Sequence, residues 1–379
     1  MAPDGTGVAD LTITDIQVTL FRWPQTEKVI YSRVTTTEAS EPRLALVTVR
    51  TDAGIDGHCF LGSSSRSAEI DVRGLIDILK PELIGQNPLD RNRLHRALMV
   101  RSRAVMLRSI GALDVALWDI GGKVAGLPVC RLVGAARHKV AAYASSPTLA
   151  TVEDYTTQAK AVKAEGYRGY KIHPPHDRAL HTAVLEKVRE AVGDTYPLMY
   201  DPAMRYTFPE AVKIGRLLER LDYVWLEDPL PIDDMYGYAK LCAELDIMVM
   251  PTEYSHGGFP GYSQWIAMKA TDALRGDVAL KGGITACLKG AALAEGFHMN
   301  FELHHGGNSL NNVANLHVAL AIPNCDYIEV FLPHSAHKYG LVTELEIDAD
   351  GCLAAADAPG LGAEIDFGLI DRMSDETCR

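Results

Sequence analysis

From Lys139 onward the chain repeats one unit, a short apolar run followed by an amphipathic stretch. The runs are "KVAAYAS" (139–145), "YRGYKIH" (167–173), "PLMYDP" (197–202), "YVWLED" (223–228), "IMVMPTE" (247–253), "ALRGDVAL" (273–280), "HMNFELH" (298–304) and "DYIEVF" (326–331). Between them lie helical patterns such as "TVEDYTTQAKAVKAEG" (151–166), with Thr at the cap and Gly at the stop. Eight strands alternating with seven helices, at a period of roughly 23–30 residues, imply a parallel sheet. Eight is also the number of strands that closes a barrel. The competing layout, an open doubly wound sheet, carries a Gly-rich phosphate turn after its first strand. "AYASSPTLAT" has none.

The first part of the chain is of another type. "LTITDIQVTL" (11–20) reads as a strand, and "RLALVTVRTDAGIDGHCFLG" (43–62) as two strands about a turn at Asp52–Gly54. Helical patterns run from about Ala68 to Val124. In the last of them Ile110, Leu113, Leu117, Ile120 and Val124 predict a single buried stripe. The expected organisation is an α+β capping domain over 1–137, a barrel over 138–345, and a final segment over 346–379 that packs back on the first domain.

Polar residues then stand where a barrel builds its sites, at the C-terminal ends of the strands. Asp201, Glu227 and Glu253 close the third, fourth and fifth strands, 26 residues apart each time. Neighbouring strands lie about 4.8 Å apart, so the three carboxylates can meet. Three buried negative charges repel one another by several kcal/mol unless something positive sits among them. A hard divalent cation does this, and oxygen ligands suit Mg²⁺. A single strand-end carboxylate is more often a helix cap or surface ion pair; three in register argue for the metal. Asp228 reads as a cap or a neighbour of the ligands.

The flanking strands hold proton-transfer groups. Lys171 and His173 are two apart and share one side of the second strand. Asp277 ends the sixth strand and His304 and His305 end the seventh. A carboxylate bonded to one imidazole nitrogen leaves the other free to move a proton. His304 is the expected partner and His305 a bystander. Glu329 lies on the eighth strand. A metal with a base on either side suits removal of a proton from the carbon next to a carboxylate.

Composition narrows the partners. A formal charge of −12 over 379 residues lacks the basic footprint of a nucleic-acid binder and disfavours an anionic membrane surface. No run approaches the roughly 20 apolar residues of a membrane span. The seven cysteines form no C-x-x-C pair, and "MAPDGTGVAD" has no secretory pattern. The expectation is a cytoplasmic homo-oligomer acting on a small-molecule carboxylate.

"IGALDVALWDIGGKVAGLPVCRLVG", "YDPAM", "WLEDPLP", "MPTEYS" and "DVALKGGITACLKGAALAEGFHMNFELHH", in this order, resemble the enolase superfamily and its mandelate racemase subgroup over nearly the whole chain. The resemblance implies a (β/α)7β barrel of TIM type under an N-terminal α+β capping domain. It implies Mg²⁺ on Asp201, Glu227 and Glu253, an Asp277–His304 acid/base unit, and Glu329 helping to hold the substrate carboxylate. The chain departs from the subgroup on the second strand, where Lys-x-Lys is usual and His173 replaces the second Lys. That His is a base or a binder of a substrate hydroxyl, and Lys171 tunes it or binds the carboxylate.

Members that this chain resembles mostly dehydrate acid sugars. The expected reaction is therefore Mg²⁺-dependent dehydration of an aldonate or aldarate through a stabilised enediolate, giving a 2-keto-3-deoxy acid. A racemase or epimerase of a 2-hydroxy acid is the alternative on the same site, and a non-catalytic binding protein the remote one. The polar stretches 22–40 and 58–66, with Arg33 and Arg66, are the expected substrate-contacting loops.

Overall fold

The computed structural model describes residues 11–24, 29–31 and 42–379. Three antiparallel strands, β1 (Ile13–Arg22), β2 (Arg43–Thr51) and β3 (Gly57–Leu61), begin the capping domain. Gly54, in the left-handed region at φ 69°, turns the chain between β2 and β3. The helix Leu107–Ala125 packs on this sheet and ends at Gly126, again left-handed. The helix is not buried along one stripe, as its periodicity predicts. Ser109 to Leu117 and Asp119 to Gly122 are all buried, because the helix lies between the cap sheet and the barrel. Small residues permit this. A side chain at Gly111 would meet the Val278 carbonyl at 2.3 Å, and one at Gly57 would meet the Ala116 carbonyl at 2.1 Å.

The parallel strands follow as β4 (Val140–Ser145), β5 (Gly169–Ile172), β6 (Leu198–Tyr200), β7 (Trp225–Glu227), β8 (Met248–Met250), β9 (Leu274–Gly276), β10 (Phe301–Leu303) and β11 (Tyr327–Phe331). Their hydrogen-bonded order is β8-β7-β6-β5-β4-β11-β10-β9, a nearly closed barrel. The seam between β8 and β9 is bridged by Asp272 N to Val249 O at 3.0 Å and by Arg275 N to Thr252 Oγ1 at 2.8 Å. The run 273–280 is not one strand. It stops at Gly276 because Asp277 caps a short helix, Val278–Lys281. The helix Val152–Ala164 carries the expected cap, a reciprocal Thr151–Asp154 capping box.

Beyond the barrel, the short strand β12 (Cys352–Leu353) pairs antiparallel with β4. The chain then returns to the cap, where β13 (Ser374–Cys378) pairs with β1. The α/β barrel with an N-terminal cap completed by the C-terminal segment is thus the observed architecture. No helix of the described residues is long and apolar enough to cross a membrane.

Strand alternation stacks the barrel interior in layers. Tyr143, Met199, Trp225, Met250 and Ala273 form an apolar floor, with Tyr327 packed against it. Two residues further along their strands come Asp201 after Met199, Glu227 after Trp225, Arg275 after Ala273 and Glu329 after Tyr327. A charged layer therefore lies directly on the rings. Glu253 breaks the period, standing three residues past Met250. The intervening Thr252, held at φ 91°, supplies the bend.

Candidate active site

The three strand-end carboxylates converge. One oxygen from each of Asp201, Glu227 and Glu253 lies within 4.8 Å of the others, and all three side chains are buried. The backbone that presents them is strained. Ala203, Met204, Asp228 and Thr252 all have positive φ without being glycine, and each adjoins or closely follows a member of the triad. Such conformations cost about 1–3 kcal/mol each and persist where the surroundings hold them. Buried, hard, anionic oxygens at this spacing fit a divalent cation such as Mg²⁺. Asp228 joins the wall beside them. Burial, then Glu253, Asp201 and Glu227, push its carboxyl well above the usual range.

Glu227 has cationic neighbours of its own, which changes the answer its sequence context suggests. Lys171 Nζ donates to both its oxygens at 3.0 and 3.1 Å, Arg275 Nε lies 2.5 Å away, and Trp225 Nε1 donates at 3.0 Å. Lys171 also lies 2.6 Å from Glu329, which pairs in turn with Arg275 at 2.7 Å. Four charged side chains, all buried, thus form an alternating network on the floor. Burial alone would lower the Lys171 pKa, but Glu227 and Glu329 overcome it and raise it. Glu329 is held well below the carboxylate range, since Lys171 and Arg275 outweigh its burial. Sequence reasoning missed Arg275. The signal was available: an Arg inside the apolar run "ALRGD", two residues before Asp277, calls for the same period-2 logic that singled out Lys171.

Two imidazoles face the triad from opposite flanks. His173 Nδ1 is 2.7 Å from the Ser146 carbonyl, which can only accept, so Nδ1 carries the proton. Its Nε2 stands 3.1 Å from Asp201 Oδ2. His304 Nδ1 is 2.6 Å from Asp277 Oδ2, and its Nε2 is 3.1 Å from Glu253 Oε1. Burial opposes protonation of His304, but Glu253 and Asp277 together raise its pKa. Asp277 does two jobs, since its Oδ1 also caps the following helix through Ala279 N and Leu280 N. His305 turns aside. Its ring stacks on Phe331 at 4.5 Å, and burial holds its pKa well below the usual value.

A cavity of about 280 Å³ lies between cap and barrel over these groups. His173, Asp201, Glu253, Asp277 and His304 line it; Lys171, Glu227 and Glu329 lie beneath its surface. One wall is aromatic. Tyr31 stacks on Phe331 at 4.6 Å, and its hydroxyl bonds to the Leu332 carbonyl at 2.5 Å and to His337. Ser63–Ser65, Arg66, Arg108 and Tyr254 also line the cavity. Arg66 is thus on the cavity rim, over the Tyr254 ring at 5.5 Å. Arg33 lies outside the described residues. Arg108 was not legible as a cavity residue, because the loop and the helix that carry Arg66 and Arg108 meet only in the folded cap.

The motif "GGIT" proves to be the joint between the domains. Asp114 of the cap helix accepts from Thr285 N at 2.8 Å and from its hydroxyl at 2.7 Å. Any side chain at Gly283, itself at φ 107°, would strike Asp114.

Residues 15–134 match the family model of the mandelate racemase / muconate lactonizing enzyme N-terminal domain, and residues 154–368 that of the enolase C-terminal domain-like family. L-talarate/galactarate dehydratase of Salmonella typhimurium is 29% identical over 334 residues, covering 85% of this chain and 80% of that protein. The 3,6-anhydro-alpha-L-galactonate cycloisomerase of Streptomyces coelicolor is 32% identical over 271 residues, 70% of this chain and 72% of its own. Among solved structures, D-glucarate dehydratase from Agrobacterium tumefaciens complexed with magnesium superposes with a TM-score of 0.86 at 33% identity. That match covers 96% of this chain and 99% of the other. Several relatives are dehydratases, and hence hydro-lyases. Matched from its cap through its barrel, the chain belongs to the mandelate racemase / muconate lactonizing enzyme family of the enolase superfamily.

Proposed function

We propose that the protein is a Mg²⁺-dependent acid-sugar dehydratase. The observation that carries this reading is the pair of imidazoles, each presenting Nε2 toward the carboxylate triad with its Nδ1 proton fixed elsewhere. Asp201, Glu227 and Glu253 hold Mg²⁺, which when bound supplies electrostatic stabilisation to the substrate carboxylate. His173 or His304 accepts the C2 proton on Nε2. The C3 hydroxyl then leaves as water with a proton from the His304 imidazolium, and the enol product rearranges to a 2-keto-3-deoxy acid. Asp277 orients His304 and favours its protonated form. The Lys171–Glu227–Arg275–Glu329 network holds Glu227 in place and keeps water out below. Lys171, expected to tune its neighbour or to bind the carboxylate, is paired with Glu227 and Glu329 in that network.

A second reading, epimerisation of a 2-hydroxy acid, draws on the same two-sided geometry, since a base on each face can remove and return one proton. The experiment is incubation of an acid-sugar library with Mg²⁺ in D₂O. Keto-acid formation supports dehydration. Deuterium exchange at C2 without keto acid supports epimerisation, and neither product defeats both.

A further inference from the structure

Charge is divided across the cavity. Every carboxylate that lines it among the described residues, Asp201, Asp228, Glu253 and Asp277, comes from the barrel; both guanidinium groups, Arg66 and Arg108, come from the cap. Arg108 stands at the start of the helix Leu107–Ala125. It is held by Asp71 at 2.5 Å, with that carboxylate almost fully buried, and its Nε makes no hydrogen bond. Arg66 is fixed differently. Its backbone exchanges hydrogen bonds with Ser63 at 2.9 and 3.2 Å in a tight turn, and its guanidinium lies over Tyr254. Among the described residues it has no carboxylate partner. This end of the cavity thus carries one net positive charge, Arg66 and Arg108 less Asp71.

We propose that the cavity binds a dicarboxylic acid sugar, with one carboxylate at the Asp201–Glu227–Glu253 triad and the other at Arg66 and Arg108. The inference rests on the dehydratase reading and narrows its substrate to aldarates. A planar guanidinium held in place matches a carboxylate bidentately and loses little freedom in doing so. A neutral hydroxymethyl end, as in an aldonate, gains nothing from Arg66. A phosphate dianion exceeds the single positive charge available once Asp71 has taken its share. Ser63–Ser65 and Tyr254, which line the cavity with the two arginines, offer hydroxyls to those of the sugar.

The test compares six-carbon aldarates, aldonates and 6-phosphoaldonates by kcat/KM for keto-acid formation, using the protein, Arg66→Met and Arg108→Met. The expected result is a preference for an aldarate of about ten-fold or more, carried mainly in KM. Either substitution lowers the aldarate-to-aldonate ratio by a similar factor. Because Arg108→Met strands Asp71, Asp71→Leu/Arg108→Met is measured beside it. A preference for aldonates or phosphoaldonates, or a ratio unmoved by both arginine variants, overturns the proposal while leaving dehydration intact. Thermal stabilisation by each acid is recorded in parallel. Were no acid turned over, the dehydratase reading would fail by itself. The arginine-dependent difference in stabilisation between aldarate and aldonate would then still decide the binding mode.

Discussion

Lys171 Nζ lies 2.6 Å from Glu329 Oε1 inside the barrel, with both side chains fully removed from solvent. Each also has a second partner, Glu227 for Lys171 and Arg275 for Glu329. Breaking such a buried pair from one side costs about 3–5 kcal/mol, because a charge is left without compensation. Lys171→Met and Glu329→Leu are each expected to lose stability on this scale in urea unfolding. The double variant should lose less than the sum, by at least about 1 kcal/mol. Strict additivity would mean that the two charges act independently.

Metal binding should appear as stability. The triad carboxylates repel when empty, so a cation that binds only the folded chain stabilises it by about 2.7 kcal/mol at a hundred times its Kd. Glu253 is the informative ligand to change, because Glu227 also balances Lys171 and Arg275. Glu253→Gln is expected to remove both the Mg²⁺-dependent rise in Tm and turnover. A rise in Tm with Mg²⁺ of unchanged size in the variant would place the ion elsewhere.

Lys281 holds the loop that carries Glu253. Its fully buried ammonium bonds to the Thr252 carbonyl at 2.7 Å, the Ser255 carbonyl at 3.1 Å and the Ser255 hydroxyl at 3.0 Å. Those contacts brace Thr252 at its positive φ. Lys281→Met should weaken Mg²⁺ binding about ten-fold, about 1.4 kcal/mol, as read by titration calorimetry. A fall in Tm with unaltered Mg²⁺ affinity would reduce Lys281 to a purely structural group.

Acid should destabilise the fold from below pH 6.5, earlier than carboxylate titration requires. Burial lowers the His337 pKa to about 3, against the pull of Glu329 and with the repulsion of His334 and His304. A depressed folded value means that the unfolded chain binds the proton first. The stability contribution is therefore complete above about 6.5 and is lost as the pH falls from there toward 3. Between pH 7 and 5, His337→Gln is expected to lose about 2 kcal/mol less than the unsubstituted chain in denaturant unfolding. Parallel stability curves would show that His337 does not supply this proton.

Much of the architecture was legible because its signals are local. Each barrel strand was marked by a few apolar residues, and Thr151 at the cap and Gly166 at the stop bounded the first barrel helix. The helix Leu107–Ala125 was only half legible, since periodicity reports one buried face and cannot reveal that a barrel covers the other. "ALRGDVAL" misled in the opposite direction, because an Asp that caps a helix ends a strand even where the apolar run continues.

By itself the sequence determined the order of strands and helices, the alternation that points Lys171, His173, Glu227 and Glu329 inward, and the spacing that brings three carboxylates to one rim. Periodicity within a strand and the near-constant length of a β/α unit are enough for that. Tertiary structure alone decided that Arg275 shares Glu227 with Lys171, and that Arg66 and Arg108 line one cavity with the barrel's carboxylates. These pairings join residues far apart in the chain, and their distances are set by barrel closure and by how the cap docks.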